Sequence, residues 1–132
     1  MTNEVFIVSG ARTPIGSFMG NLSSFSAPEL AAAAIQKTLD TSPVEADQID
    51  EVLIGNVVSA GLKQAPARQA MRLAGIPDGC GATTINKVCG SGMKATMLGF
   101  DLIRSGSAET VLSGGMESMS NAPYLLANAR LG

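Results

Sequence analysis

The chain has 132 residues, 45% of them hydrophobic and only 15% charged, against about 25% charged in an ordinary globular domain. That is the size of one domain, and so little charge suits a chain covered on several sides, as the core layer of a larger protein or at a wide subunit interface. A net charge of −2 with nine scattered Lys and Arg argues against a nucleic-acid partner, and the lack of any apolar run near the roughly 20 residues of a membrane span argues against a membrane one.

The chain opens on the β-rich run Glu4-Val5-Phe6-Ile7-Val8, which predicts a first strand. It leaves no secretory hydrophobic region and no Arg-rich presequence, so the expected location is the cytoplasm. A loop from Gly10 to Gly20 follows. Ser26-Ala27-Pro28-Glu29 has the pattern of a capping box and predicts a helix through Leu30 and Ile35 to about Leu39. Glu45 to Gln48 reads as a polar turn or short helical piece, and Glu51-Val52-Leu53-Ile54-Gly55 as a second strand. Pro66 suits the first turn of a helix that carries Ala70, Met71, Leu73 and Ala74 and stops at Gly75. A third strand is predicted over Thr83 to Val88, a helix from about Ser91 to Arg104 ended by Gly106, and a fourth strand over Thr110 to Gly114. This alternation implies βαβ units, an α/β fold and a mostly parallel sheet. The 91–104 helix is charged only at Lys94, Asp101 and Arg104, which predicts a helix buried on most sides. Met93, Met97, Met116 and Met119 read as core filler.

Chemistry concentrates at Thr84-Ile85-Asn86-Lys87-Val88-Cys89-Gly90-Ser91-Gly92-Met93-Lys94-Ala95. A β-prone stretch ends at a cysteine, two glycines bracket a serine, and a helix-forming segment begins. The pattern places a thiol at a strand-to-helix turn, beside the free amides and positive end of a helix, where the nucleophilic thiolate is favoured. Such a thiol suits covalent acyl transfer. A buried, inert cysteine is the competing reading, because free Cys often behaves as a small hydrophobe. Cys80, in the turn Pro77-Asp78-Gly79-Cys80-Gly81, reads as incidental. With two cysteines and no histidine there is no zinc-site pattern, and no phosphate-loop or dinucleotide-loop motif occurs.

Resemblance decides between the two readings of Cys89. Val88 to Ala95 resembles the nucleophile motif of the thiolases. Three further stretches agree in order and spacing: Val8-Ser9-Gly10-Ala11-Arg12-Thr13-Pro14-Ile15-Gly16, Gln64-Ala65-Pro66-Ala67-Arg68-Gln69-Ala70, and Gly114-Gly115-Met116-Glu117-Ser118-Met119-Ser120-Asn121-Ala122-Pro123-Tyr124. The resemblance implies the N-terminal half of a layered αβαβα sandwich. Residues 1–121 would be an incomplete N-terminal domain and 122–132 the start of a loop domain, with the C-terminal domain absent from this sequence. It implies an acetyl-CoA acetyltransferase working by ping-pong chemistry, with Cys89 as acyl-thioester nucleophile and its backbone N–H as oxyanion donor, supported by Gly90, Gly92, Met116 and Asn86. Gly114 to Asn121 is expected to pass behind the nucleophile, with Glu117 having no obvious partner. No cofactor is implied, since coenzyme A thioesters are substrates, and a homodimer or homotetramer is expected for the complete protein. Ala65 stands where many relatives carry Asn, which leans toward short-chain substrates. The family's histidine base and second cysteine are missing, so this chain alone is expected to be inactive. Two alternatives stay open: a non-catalytic domain that binds a thiolase-like partner, and a longer-chain 3-ketoacyl-CoA thiolase.

Overall fold

The structure is a computed structural model that describes residues 4–131; the outermost residues of the two expected segments, 1–3 and 132, lie outside that range. Three strands, β1 (Glu51–Gly55), β2 (Gly81–Ile85) and β3 (Val111–Gly115), form one sheet in the order β2-β1-β3. Both pairings are parallel, with Glu51 opposite Gly81 and Val111, and Gly55 opposite Ile85 and Gly115. Parallel neighbours need crossover helices. Helix α2 (Pro66–Leu73) connects β1 to β2, and α3 (Ser91–Ser105) connects β2 to β3. The two crossovers run in opposite directions across the sheet, so right-handed connections put α2 and α3 on opposite faces. Helix α1 (Ala27–Asp40) packs on α2.

The alternation along β1 shows the layering. Val52 and Ile54 join α1 and α2 in the main core around Ala27, Ile35, Ala70 and Met71. Leu53 points the other way, toward Gly99 of α3. The local signals work as read. Ser26 caps α1 in a full capping box with Glu29, Pro66 opens α2, and Gly75 and Gly106 take left-handed φ values of 88° and 77° just after α2 and α3.

Some expectations differ from the structure. Glu4 to Val8 is not a strand. A β-prone run pairs only when an edge lies within hydrogen-bonding reach. Here residues 5–13 face α3 and β3 across a cleft of about 610 Å³, and the Ser9 hydroxyl ties the segment to Thr38 O of α1 at 3.0 Å. Helix α3 is also buried along one stripe only, Ser91, Ala95 and Gly99, at four-residue spacing. Its other side leaves Met93 74% and Met97 53% exposed, and Met119 is 64% exposed, so Met116 alone of the four expected core methionines is buried.

Candidate active site

Because all three strands are parallel, the loops at their carboxyl ends emerge on one side of the sheet: 86–90 after β2, 56–65 after β1, and 116–118 after β3. That edge is where open parallel sheets bind ligands. Cys89 lies in the first of these loops and is exposed.

β2 stops at Ile85, three residues short of the expected Val88. The side chains nearby explain this. Asn86 Oδ1 accepts the Val88 N–H at 2.9 Å, and Ser91 Oγ accepts the Lys87 N–H at 2.7 Å, so both amides leave the ladder. Val88 then takes a φ of 47°, the left-handed region that a β-branched residue rarely adopts. The Gly90 and Ser91 amides donate to Lys87 O and Val88 O, each at 3.1 Å. Those two amides are spent within the turn. Gly90 is the N-cap of α3, with no side chain to cap the helix.

Glycines let the neighbouring backbones close on this turn. A Cβ on Gly55 would stand 2.5 Å from Ser91 C and 2.7 Å from Gly92 N. A Cβ on Gly115 would stand 3.3 Å from Gly92 Cα. Gly92 therefore makes room for the end of β3 beside the first turn of α3.

Glu117 is well partnered, contrary to the sequence expectation. Its carboxylate accepts Asn56 Nδ2 at 2.9 Å and the Val57 and Val58 amides at 3.1 and 3.0 Å. Asn56 is 1% exposed; it also donates to Met116 O and accepts from the Ser59 hydroxyl. The Met116 amide donates to Gly55 O at 2.9 Å. The loops after β1 and β3 thus form one hydrogen-bonded unit. Gly55 and Asn56 carry this arrangement and lie outside the quoted motifs. The available signal was a carboxylate and an amide at the ends of two otherwise apolar strands.

Cys80 is buried, and burial pushes its thiol up, helped by the Glu51 and Asp50 carboxylates and opposed by Arg68. It is poorly suited to be a nucleophile. Ala65, before α2, has a left-handed φ of 47°. The cleft beside residues 5–13 is not lined by Cys89. Among the described residues, no cluster of three His, Cys, Asp or Glu has metal-site geometry, and no helix is long and apolar enough to cross a membrane.

The chain is similar to known proteins over nearly its whole length. Residues 5–132 match the family model of the thiolase N-terminal domain. The chain is 51% identical to an acetyl-CoA acetyltransferase of Pseudomonas aeruginosa, over 98% of this chain and 33% of that protein. It is 52% identical to one of Saccharomyces cerevisiae, over 100% of this chain and 34% of that protein. A thiolase from Ascaris suum, solved in complex with coenzyme A, superposes with a TM-score of 0.89 at 42% identity, over 91% of this chain and 31% of its own. The chain thus spans about a third of the length of these relatives.

Proposed function

The chain belongs to the thiolase family, as one of its N-terminal domains, and from that premise we propose that the protein carrying it is an acetyl-CoA acetyltransferase acylated on Cys89. The observation that carries this is the exposed thiol of Cys89, at the carboxyl edge of a parallel sheet and one residue before the cap of α3.

In the first half-reaction the Cys89 thiolate attacks the thioester carbonyl of acetyl-CoA. A bond forms from Sγ to the acetyl carbon, the bond to the CoA sulfur breaks, and CoA departs as its thiolate, which takes up the proton the base removed from the Cys89 thiol. The oxyanion formed on the way accepts a hydrogen bond from the Cys89 N–H. The Gly90 and Ser91 amides are engaged within the turn. In the second half-reaction a second acetyl-CoA, deprotonated at its methyl group, attacks the acetyl-enzyme. A carbon–carbon bond forms, Cys89 leaves as thiolate, and acetoacetyl-CoA is released. Thiolysis is the reverse. Two half-reactions through a covalent intermediate give ping-pong kinetics.

Asn86 shapes the turn through the Val88 amide, Gly92 makes room beside it for the end of β3, Gly90 caps α3, and Met116, just after β3, ties that strand's end to Gly55 O through its amide. The base is a group outside this chain, which holds no histidine. Coenzyme A thioesters are substrates and no resident cofactor is required. The names of the relatives support acetyl over longer acyl groups, and Ala65 points the same way. A cytoplasmic homodimer or homotetramer completes the reading.

The test uses the complete gene product, mixed with acetyl-CoA and no acceptor. The expected result is one acetyl group on the peptide containing Cys89 and none on Cys89→Ala. Normal turnover by Cys89→Ala refutes the assignment, and a complete protein that binds a thiolase without ever being acylated favours the non-catalytic alternative.

A further inference from the structure

Val88 is held where a β-branched residue is strained; Asn86 Oδ1 takes its own amide, while the amide before it and the carbonyl after it are both held by one side chain. Ser91 Oγ accepts the Lys87 N–H at 2.7 Å and donates to Val88 O at 2.6 Å. The Ser91 amide reaches the same carbonyl at 3.1 Å. One hydroxyl therefore ties the amide before Val88 to the carbonyl after it, fixing the peptides whose torsions aim Cys89. The serine is itself immobilised. It is 4% exposed, and Gly55 packs against its backbone and Cβ so closely that no side chain at 55 fits. The left-handed Val88 is costly on its own, and it persists because this contact over-determines it. Val88 is 65% exposed, so its side chain contributes little packing to hold the conformation.

We propose that Ser91 is a positioning residue for acyl transfer: its hydroxyl clamps the strained Val88 and so holds the Cys89 thiol in its attacking direction. This rests on the reading of Cys89 as nucleophile. Loss of the clamp lets Val88 relax toward ordinary backbone angles, which swings the following residue, and displacements near 1 Å cost on the order of 100-fold in rate.

The experiment uses the complete gene product and follows acetylation of Cys89 by acetyl-CoA, with KM, kcat and the far-UV spectrum recorded for each variant. Ser91→Ala is expected to fold, to acetylate about 10- to 100-fold more slowly, and to change KM for acetyl-CoA by less than about threefold. Ser91→Thr keeps the hydroxyl and is expected to retain most of the rate. The sharper contrast is the pair Ser91→Ala with Val88→Asn. Asn tolerates the left-handed region, so the double variant is expected to recover to within about threefold of wild type. A serine that served only packing would not be rescued by a change at an exposed neighbour.

Wild-type acetylation by Ser91→Ala, or a folded double variant as slow as Ser91→Ala, overturns the proposal. Where Ser91→Ala alone does not fold, the double variant decides: folded and fast supports the clamp, folded and about 100-fold slow refutes it. Cys89→Ala, run alongside, separates the two readings. If it is inactive while Ser91→Ala is normal, only the clamp fails; if it turns over normally, the nucleophile assignment fails and the clamp with it.

Discussion

At the scale of single residues, two cysteines nine positions apart have opposite environments. Cys89 is exposed in a turn and Cys80 is buried with its thiol pushed up. Alkylation follows access and thiolate character. Iodoacetamide is therefore expected to label Cys89 in the native protein and to reach Cys80 only after denaturation; peptide mass mapping reads the order directly, and native labelling of Cys80 ahead of Cys89 would contradict the placement. A second residue-scale consequence belongs to Gly55. Any side chain there meets the Ser91 and Gly92 backbone, which cannot yield as a flexible side chain would. Gly55→Ala is expected to cost about 1–3 kcal/mol, seen as a lower urea midpoint, and to slow Cys89 acetylation as well. The second effect separates it from a generic core change: the atom it displaces belongs to the Cys89 turn.

At the scale of elements, Asp50 joins two of the three strands at their starts. Its carboxylate accepts the Thr110 and Glu109 amides at 3.0 and 2.7 Å, just before β3, while its own carbonyl accepts the Gly81 amide at the start of β2. The Thr110 and Glu109 amides hold its carboxyl below the ordinary 3.8. A depressed folded value stabilises the fold above 3.8, and that contribution is lost as pH falls through the folded value. Urea midpoints of wild type and Asp50→Asn should therefore differ near neutrality and converge in strong acid; an equal gap at both ends would mean that ionisation of Asp50 does not matter. Ala65 offers a test in the other direction. An L-residue in the left-handed region is strained by roughly 1 kcal/mol and Asn tolerates it better, so Ala65→Asn is expected to raise the urea midpoint.

The elements also show what the sequence made legible. Caps and breakers were readable because they act locally: Ser26 with Glu29, Pro66, Gly75 and Gly106 each bring their own geometry. The thiol at the strand-to-helix turn was readable for the same reason. The end of β2 was not, because Val88 has β-strand chemistry and only the Asn86 and Ser91 side chains, acting across the turn, divert it. The Glu117 and Asn56 network was illegible too, since it links residues about sixty positions apart. Glu4 to Val8 failed in the opposite way: its pattern is that of a strand, but pairing needs a partner edge and the neighbouring β3 lies across a cleft.

At the scale of the whole molecule, many large apolar side chains stay exposed. Phe6, Ile7, Ile15 and Phe18 are 74%, 88%, 84% and 75% exposed, and on α3 Met93, Met97 and Phe100 are 74%, 53% and 47% exposed. One side of β3 has no strand beside it among the described residues. Exposed apolar side chains and an open strand edge promote association. Residues 1–132 produced alone are therefore expected to bind a hydrophobic dye such as ANS and to grow in size with concentration in sedimentation. Charged substitutions at Ile7 and Phe18, which pack against little in this chain, should reduce the association without lowering the urea midpoint. The same preparation, lacking any histidine, is expected to show no thiolysis of acetoacetyl-CoA. A monomeric, dye-negative and fully active preparation would mean that these faces are covered within the chain itself and that the base lies among its own residues.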